Sequence, residues 1–157
     1  MVDLKEFEQK AADLRVLGMK ISIGQDTVYE KYWDEDCRRN IYSASKSFTS
    51  CAVGFAVQEG LIDLDERLMD AFKEDIPNNP DEYLKKATVK DLLTMTLGQE
   101  KGFLMGKQRP RMEEQNWVKA SLAIPFVYEP GTHFVYNNVG PYLAGILVQR
   151  RAGCDLL

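Results

Sequence analysis

Hydrophobic residues in the first part of the chain change from a helical period to a strand period. Apolar side chains first recur at intervals of three or four residues: Leu4, Phe7, Ala11 and Leu14. This spacing predicts an opening amphipathic helix, with Gly18 as its stop. Apolar and polar residues then alternate from Met19 to Ile23, and a turn at 24–26 precedes a second strand-like run at 28–33. We therefore expect a helix and a β-hairpin, which needs further strands because two strands alone make a poor sheet.

A helical period returns after residue 43 and dominates the rest of the sequence. Five apolar residues there are spaced as on one face of a helix: Phe48, Cys51, Ala52, Phe55 and Ala56. They predict a buried face, with Cys51 as an inert buried thiol, on a helix that starts at Ser43 and ends at Gly60. Further helices are predicted at 65–72, after a cap-like sequence at 88–91, at 116–123, and from Pro141 toward Gly153. No strong strand follows, so we expect the sheet to be incomplete.

Composition and charge narrow the class of protein. The chain has 157 residues, about one domain's length, and its 45% hydrophobic and 28% charged residues are typical of a folded globule. The net charge of -4 argues against nucleic-acid binding as the main function. No apolar stretch approaches the roughly 18 residues of a membrane span. The charged N-terminus lacks the apolar core of a secretory signal, so we expect a cytoplasmic protein.

Few residues are available for metal or disulfide chemistry. The three cysteines, Cys37, Cys51 and Cys154, cannot all pair with each other, and their wide spacing fits neither a zinc site nor a disulfide framework. This pattern favours a reducing compartment. The single histidine, His133, lies between a turn and an aromatic residue and is expected to be structural. We therefore predict no metal site.

The segment Ser43-Ala44-Ser45-Lys46 has the sharpest local pattern for chemistry. Its spacing places Ser43 and Lys46 on neighbouring positions of one helical face, at the start of the predicted helix. A serine hydroxyl becomes a good nucleophile when a base takes its proton, and an amine can do so when desolvation or nearby positive charge lowers its pKa. The helix N-terminus also favours an oxyanion near Ser43. Alone, such a pair arises readily by chance, and a serine cap followed by a solvated lysine is the simpler explanation.

A second candidate group is Tyr136-Asn137-Asn138. A phenol beside a catalytic amine can share or relay its proton, and an amide can hold a substrate carbonyl. The alternative is a turn ahead of the last helix, with Asn138 as the N-terminal cap.

The segment 101–111, called the basic loop below, is irregular and rich in cations. Its charged residues are Lys101, Lys107, Arg109 and Arg111. Such a cluster can bind nucleic acid, but a flexible surface loop is the favoured interpretation in an acidic chain.

Four blocks together carry a more specific signal than either short motif. In chain order they are Ile41-Tyr-Ser-Ala-Ser-Lys-Ser-Phe-Thr-Ser50, Gln58-Glu-Gly-Leu-Ile-Asp-Leu-Asp65, Ala87-Thr-Val-Lys-Asp-Leu-Leu-Thr-Met-Thr-Leu-Gly98 and Glu129-Pro-Gly-Thr-His-Phe-Val-Tyr-Asn-Asn-Val-Gly140. They resemble, in the same order, segments of the serine β-lactamase and penicillin-binding-protein superfamily, in particular its class C β-lactamase and esterase branch. The resemblance covers about residues 19–153.

The resemblance implies an α/β (α+β) fold of the β-lactamase/transpeptidase type and acyl-serine chemistry on an amide or ester, such as a β-lactam, a D-Ala peptide or a small ester. It assigns Ser43 as the acylated nucleophile and Lys46 as the group that takes its proton. Tyr136 matches the tyrosine that works with this lysine and protonates the leaving group. Asn138 matches the residue that contacts the substrate amide, and the Ser43 backbone N–H one oxyanion donor. No metal or organic cofactor is implied, and the basic loop corresponds to the active-site rim.

Two kinds of departure from the family pattern are visible. Met95 stands where the family usually has histidine, and Leu97 where it often has serine; both positions are expected to be structural. The chain is also about half the length of family members. Their third motif, a Lys-Thr-Gly or His-x-Gly on a later strand that supplies the second oxyanion donor, lies beyond Leu157.

The sequence therefore predicts the first part of such an enzyme. Residues 1–42 are expected to form a helix and hairpin of an α/β layer, 43–138 a helical subdomain, and 139–157 a helix that returns toward the rest of the sheet. We expect little turnover from these residues alone. The alternative is a catalytically incomplete family fragment that serves as a binding or interaction module. An unpaired sheet edge favours self-association or pairing with a C-terminal half.

Overall fold

The chain folds as two units, which divide between residues 41 and 42. The computed structural model describes residues 3–35 and 37–156. The first unit contains one helix and two strands: α1 (Lys5–Asp13), β1 (Gly18–Ile23) and β2 (Asp26–Tyr32). The strands form an antiparallel hairpin, as their alternating apolar residues predict. The expected helix stop at Gly18 is wrong: Gly18 begins β1, because Arg15 at φ 55° already supplies the left-handed residue that reverses the chain after α1.

Polar and aromatic contacts join α1 to the hairpin. The Glu8 carboxylate accepts hydrogen bonds from the Lys31 ammonium and, at 2.8 Å, from the Tyr29 hydroxyl. These two bonds, the one from Lys31 foremost, hold the pKa of Glu8 below its ordinary value. The rings of Phe7 and Trp33 meet edge to face, with centroids 6.4 Å apart. The helix is therefore fixed to the hairpin by specific pairs as well as by apolar packing.

The second unit is helical. Its α-helices are α2 (Ser45–Gln58), α3 (Leu68–Ala71), α4 (Val89–Thr94), α5 (Trp117–Leu122) and α6 (Val139–Ala152). Short 3-10 turns occupy Tyr42–Ala44 and Arg109–Arg111. Within the described residues, the named strands are the two of the hairpin. The fold is thus a mixed α and β fold with a short antiparallel sheet, as expected from the sequence.

The helix boundaries follow local sequence signals. The Asp91 carboxylate accepts a 2.9 Å hydrogen bond from the backbone N–H of Thr88, which completes the predicted cap of α4. The Asn116 side chain accepts from Val118 N and so starts α5. Gly153 has a φ of 68° and ends α6. Helix α3 is shorter than predicted. None of the helices in the described part of the chain is both long enough and apolar enough to cross a membrane.

The core of the second unit is built around α6. This helix packs against α2 and against α4. It contributes a continuous set of buried apolar side chains: Val139, Leu143, Ala144, Leu147 and Val148. Facing them are Val53 and Ala56 from α2, and Val89 and Leu92 from α4. Leu97, at a position where the resemblance expects serine, is buried in the same core, and Met95 ends α4 with a φ of 57°.

The predicted buried face of α2 is partly wrong. Phe48 is 69% exposed, Phe55 is 66% exposed, and Cys51 is also exposed, so Cys51 is not a buried thiol. The burial of Ala56 is confirmed, and α2 also buries Val53, which the spacing did not predict. Ala56 of the predicted face is buried and Ala52 packs against the core, so the side of α2 that contacts α6 overlaps the predicted face only in part. Periodicity identifies an apolar face and carries no information on which neighbour covers it.

A glycine permits the close contact between α6 and α4. A Cβ atom at Gly140 would collide with the backbone carbonyl oxygen of Leu92, which belongs to a buried helix and cannot move aside like a flexible side chain. The first turn of α6 therefore lies nearer to the α4 backbone than any other residue type allows.

This contact leads to a stability prediction. We expect Gly140→Ala to lower the free energy of unfolding by about 2 kcal/mol, because the added methyl group overpacks a rigid site. Gly54→Ala in α2 is the matched control: no heavy atom lies within 4 Å of its Cβ position. That variant should gain roughly 0.5–1 kcal/mol from helix propensity. Urea unfolding followed by circular dichroism measures both, and equal midpoints for the two variants would contradict the predicted close contact.

Candidate active site

Ser43 lies at the N-terminal end of the helical segment that continues as α2. It is the central residue of the 3-10 turn Tyr42–Ala44, and it is exposed. Tyr42 has a φ of 47°, and its carbonyl oxygen accepts a 2.7 Å hydrogen bond from the Ser45 hydroxyl. This bond stabilises the sharp entry into the helix. Backbone N–H groups in a first helical turn have no acceptor within the helix, so they are available to an anion beside Ser43.

Two proton-bearing groups converge on the Ser43 hydroxyl. Lys46 Nζ lies 3.0 Å from Ser43 Oγ, and the Tyr136 hydroxyl lies 2.7 Å from the same atom. Lys46 Nζ also lies 5.2 Å from the centre of the Tyr136 ring, within the range of a cation–π contact. The structure thus brings together Ser43, Lys46 and Tyr136, three of the four candidate residues taken from the sequence.

The segment that carries Tyr136 is held by its own backbone and by a neighbouring asparagine. Val135 N donates to the carbonyl oxygen of Met95 at 3.0 Å. Asn137 is 1% exposed, and its side chain donates to Val135 O at 2.7 Å and accepts from Gly140 N at 2.9 Å. Asn137 therefore connects the turn to the first turn of α6. The sequence analysis missed this role, although a buried polar side chain ahead of a helix is the signal to expect.

Asn138 contacts the basic loop. Its side-chain Nδ2 donates to the carbonyl oxygen of Leu104 at 2.9 Å, and its backbone N–H donates to Phe103 O at 3.2 Å. The alternative in which the Asn138 side chain caps α6 is wrong. The backbone N–H of Gly140, in the first turn of α6, donates to the side chain of Asn137 instead. An amide group has two N–H donors and an acceptor oxygen, so the bond to Leu104 uses one donor and orients the rest.

The surroundings of Tyr136 favour its ionised form. The hydrogen bond with Ser43 and then the hydrogen bond with Lys46 lower the pKa of the Tyr136 phenol. Burial opposes them with a smaller effect, and the charge of Lys46 lowers the pKa a little further. The lowered pKa of Tyr136 has a chemical consequence. A phenolate formed at a lower pH accepts the Ser43 proton instead of donating its own, so the bond between the two oxygens can reverse.

The arrangement can perform nucleophilic catalysis. An exposed hydroxyl within hydrogen-bonding distance of an amine and a phenol has two routes by which its proton can leave. His133, the single histidine, stacks on Tyr128 with ring centroids 4.2 Å apart. Within residues 3–35 and 37–156, no group of three or more His, Cys, Asp or Glu side chains is placed to hold a metal ion.

An S-x-x-K serine at the start of a helix is typical of acyl-serine proteins. The model of the β-lactamase family matches residues 5–157. The chain therefore belongs to the β-lactamase family.

Solved structures are similar over nearly the whole chain. A provisionally assigned β-lactamase from Bacteroides dorei is 17% identical with a TM-score of 0.74, and the match covers 99% of this chain and 48% of that one. An octameric penicillin-binding protein homologue from Pyrococcus abyssi is 25% identical with a TM-score of 0.69, over 98% and 40%. A class C β-lactamase is 18% identical with a TM-score of 0.73, over 95% and 43%. The chain thus has their fold and spans under half of their length.

The lowered pKa of Tyr136 can be measured directly. We expect the absorbance titration of the unmodified chain minus that of Tyr136→Phe to show a phenol that ionises below the ordinary tyrosine value of about 10. Ser43→Ala and Lys46→Met should each raise this midpoint, because each removes a group that stabilises the phenolate.

Tyr142 provides the contrast for this titration. Burial raises the pKa of its phenol. The difference titration with Tyr142→Phe should therefore have its midpoint on the alkaline side. A Tyr136 that ionises together with Tyr142 would show that the close contact with Ser43 and Lys46 is not formed in solution.

Proposed function

We propose that the chain belongs to a serine hydrolase that forms an acyl-Ser43 intermediate on an amide or ester. Candidate substrates are a β-lactam, a D-Ala peptide or a small ester. The observation that carries the proposal is the pair of short contacts to one exposed oxygen: 3.0 Å from Lys46 and 2.7 Å from Tyr136. A serine that only caps a helix needs neither of these partners.

In the first step, Ser43 Oγ attacks the carbonyl carbon and an O–C bond forms. The serine proton passes to Lys46 Nζ or to the Tyr136 phenolate, whichever is unprotonated. The carbonyl oxygen takes the electron pair of the broken π bond and becomes an oxyanion. The N-terminal end of the Ser43 turn, including the Ser43 backbone N–H, stabilises this charge.

In the second step, the tetrahedral intermediate collapses. The C–N or C–O bond to the leaving group breaks, and Tyr136 donates the proton that this group needs. Tyr136 regains its own proton from Lys46 through the hydrogen bond between their side chains. Water then hydrolyses acyl-Ser43 with the same groups acting in reverse. Asn138, oriented by its bond to Leu104, holds an amide of the substrate with its remaining polar atoms.

Labelling of Ser43 tests the proposal. We expect a fluorophosphonate or a penicillin-type probe to add one adduct to the protein that contains this chain, located at Ser43 by intact-mass and peptide analysis. Ser43→Ala should abolish the adduct. Ser50→Ala, an exposed serine on the same helix, is the matched control and should keep it. Lys46→Ala and Tyr136→Phe should each slow labelling by about 10²–10⁴, the typical contribution of a general acid or base.

The opposite result supports the non-catalytic alternative. If no probe modifies Ser43 in the folded protein, the three residues keep an ancestral geometry without reactivity. The chain is then better described as a binding or interaction module of the family.

A further inference from the structure

The basic loop, residues 101–111, is fixed to the segment that carries Tyr136. Asn138 makes two hydrogen bonds to the loop, to the carbonyl oxygens of Phe103 and Leu104. A Cβ at Gly102 would lie 2.6 Å from the carbonyl oxygen of Tyr136, so the two backbones touch. The first half of the loop is therefore part of the wall beside the proposed active site.

Leu104 holds this half of the loop in an unusual conformation. Its φ is 55°, in the left-handed region that leucine rarely adopts, and its side chain is 2% exposed. Such strain persists when the surroundings enforce it. Here the side chain is anchored in the core while the carbonyl points to Asn138. The structure thus maintains an unfavourable backbone at the point where the loop meets the site.

The second half of the loop is also ordered by its own hydrogen bonds. The carbonyl oxygen of Met105 accepts from Gln108 N at 2.8 Å and from Arg109 N at 3.3 Å. The Gln108 side-chain oxygen accepts a 2.9 Å hydrogen bond from the backbone N–H of Met105. The 3-10 turn Arg109–Arg111 follows. The cations of this half therefore lie on a defined turn rather than on a freely extended chain.

The charges of the loop are not neutralised within the described residues. The loop holds four exposed cations and no acidic residue: Lys101, Lys107, Arg109 and Arg111. None of them forms a salt bridge with an acidic residue of the described ranges. The flanking acids are Glu100, Glu113 and Glu114, and Glu114 accepts from Asn116 N at 2.8 Å. A chain of net charge -4 thus carries a local positive patch on the loop whose first half contacts the Tyr136–Asn138 segment.

We propose that the basic loop selects substrates that carry an acidic group on the part of the molecule that lies beside Asn138. This inference rests on the proposed function and names its substrate class: amides or esters with a carboxylate or a similar anion away from the scissile bond. Unpaired cations on a defined turn attract such a group, and the acidic remainder of the chain repels it elsewhere. Lys107 and Arg109, in the ordered half of the loop, are the specificity-determining residues.

A pair of boronic acids tests the charge preference without requiring turnover. The probes are 4-carboxyphenylboronic acid and its neutral carboxamide analogue, used on the full protein that contains this chain. Boron accepts Ser43 Oγ to form an O–B bond, the serine proton leaves to a base, and the boronate becomes tetrahedral and anionic. Boron NMR detects this change, and titration gives the two Kd values. We expect the carboxylate probe to bind about fivefold more tightly.

Charge reversal assigns the preference to the loop. The variant Lys107→Glu with Arg109→Glu should remove the preference or invert it. The matched control, Lys73→Glu with Lys119→Glu, makes the same change in net charge at two exposed lysines outside the loop and should keep it. In the unmodified protein, the preference should also decline as salt rises above 0.1 M, where the screening length is about 10 Å. The ratio of the two Kd values is compared, so a general loss of affinity cancels.

The outcomes separate the two proposals. If neither boronic acid adds to Ser43, the proposed function fails and this inference fails with it. If both add with equal affinity, or if the preference survives charge reversal and high salt, the function stands and the role of the basic loop is wrong. A preference that both the loop variant and salt abolish supports the inference.

Discussion

The packing of α6 against α2 and α4 is the constraint on which the rest of the structure depends. Gly140 lets the first turn of α6 reach the α4 backbone, and the residues just before that turn must then pass the N-terminal end of α2. Tyr136 lies just before α6 and Ser43 just before α2. The oxygens of the two side chains are 2.7 Å apart. The packing of a largely apolar helical core thus sets the position of a polar cluster on its surface. The site is a consequence of how two helix ends are arranged.

Much of the secondary structure follows from local chemistry and could be predicted. The hairpin follows from alternation, the cap of α4 from Thr88 and Asp91, and the end of α6 from Gly153. Each of these signals acts through bonds between residues close in sequence. The exposure of Phe48 and Phe55 could not be predicted in this way. Their burial depends on which element packs against them, and helical spacing alone does not determine that partner.

In the candidate site, too, contacts between residues close in sequence could be predicted from spacing, and contacts between distant residues could not. Ser43 and Lys46 are three positions apart, so their contact is a property of one helix. The contact of Tyr136 with Ser43 spans 93 positions, and only the likeness of four ordered blocks to a known superfamily led to it. The supporting groups were missed. Asn137 supports the site through a hydrogen bond to a backbone atom, and Leu104 through its own backbone conformation. An asparagine ahead of a helix is a visible signal, but the burial of Asn137 and the backbone conformation of Leu104 cannot be read from residue types.

The long separation of Ser43 and Tyr136 along the chain has a kinetic consequence. Helix ends are the first parts of a helix to open, and Ser43 lies at such an end, while Tyr136 lies just before α6 begins. Opening of the Ser43 turn would separate the hydroxyl from the phenol without exposing the buried side chains of Leu143 and Leu147. The contact between Ser43 and Tyr136 can therefore be lost while the rest of the chain stays folded. The reactivity of Ser43 thus depends on the closed state of one helical turn, and not only on the stability of the core.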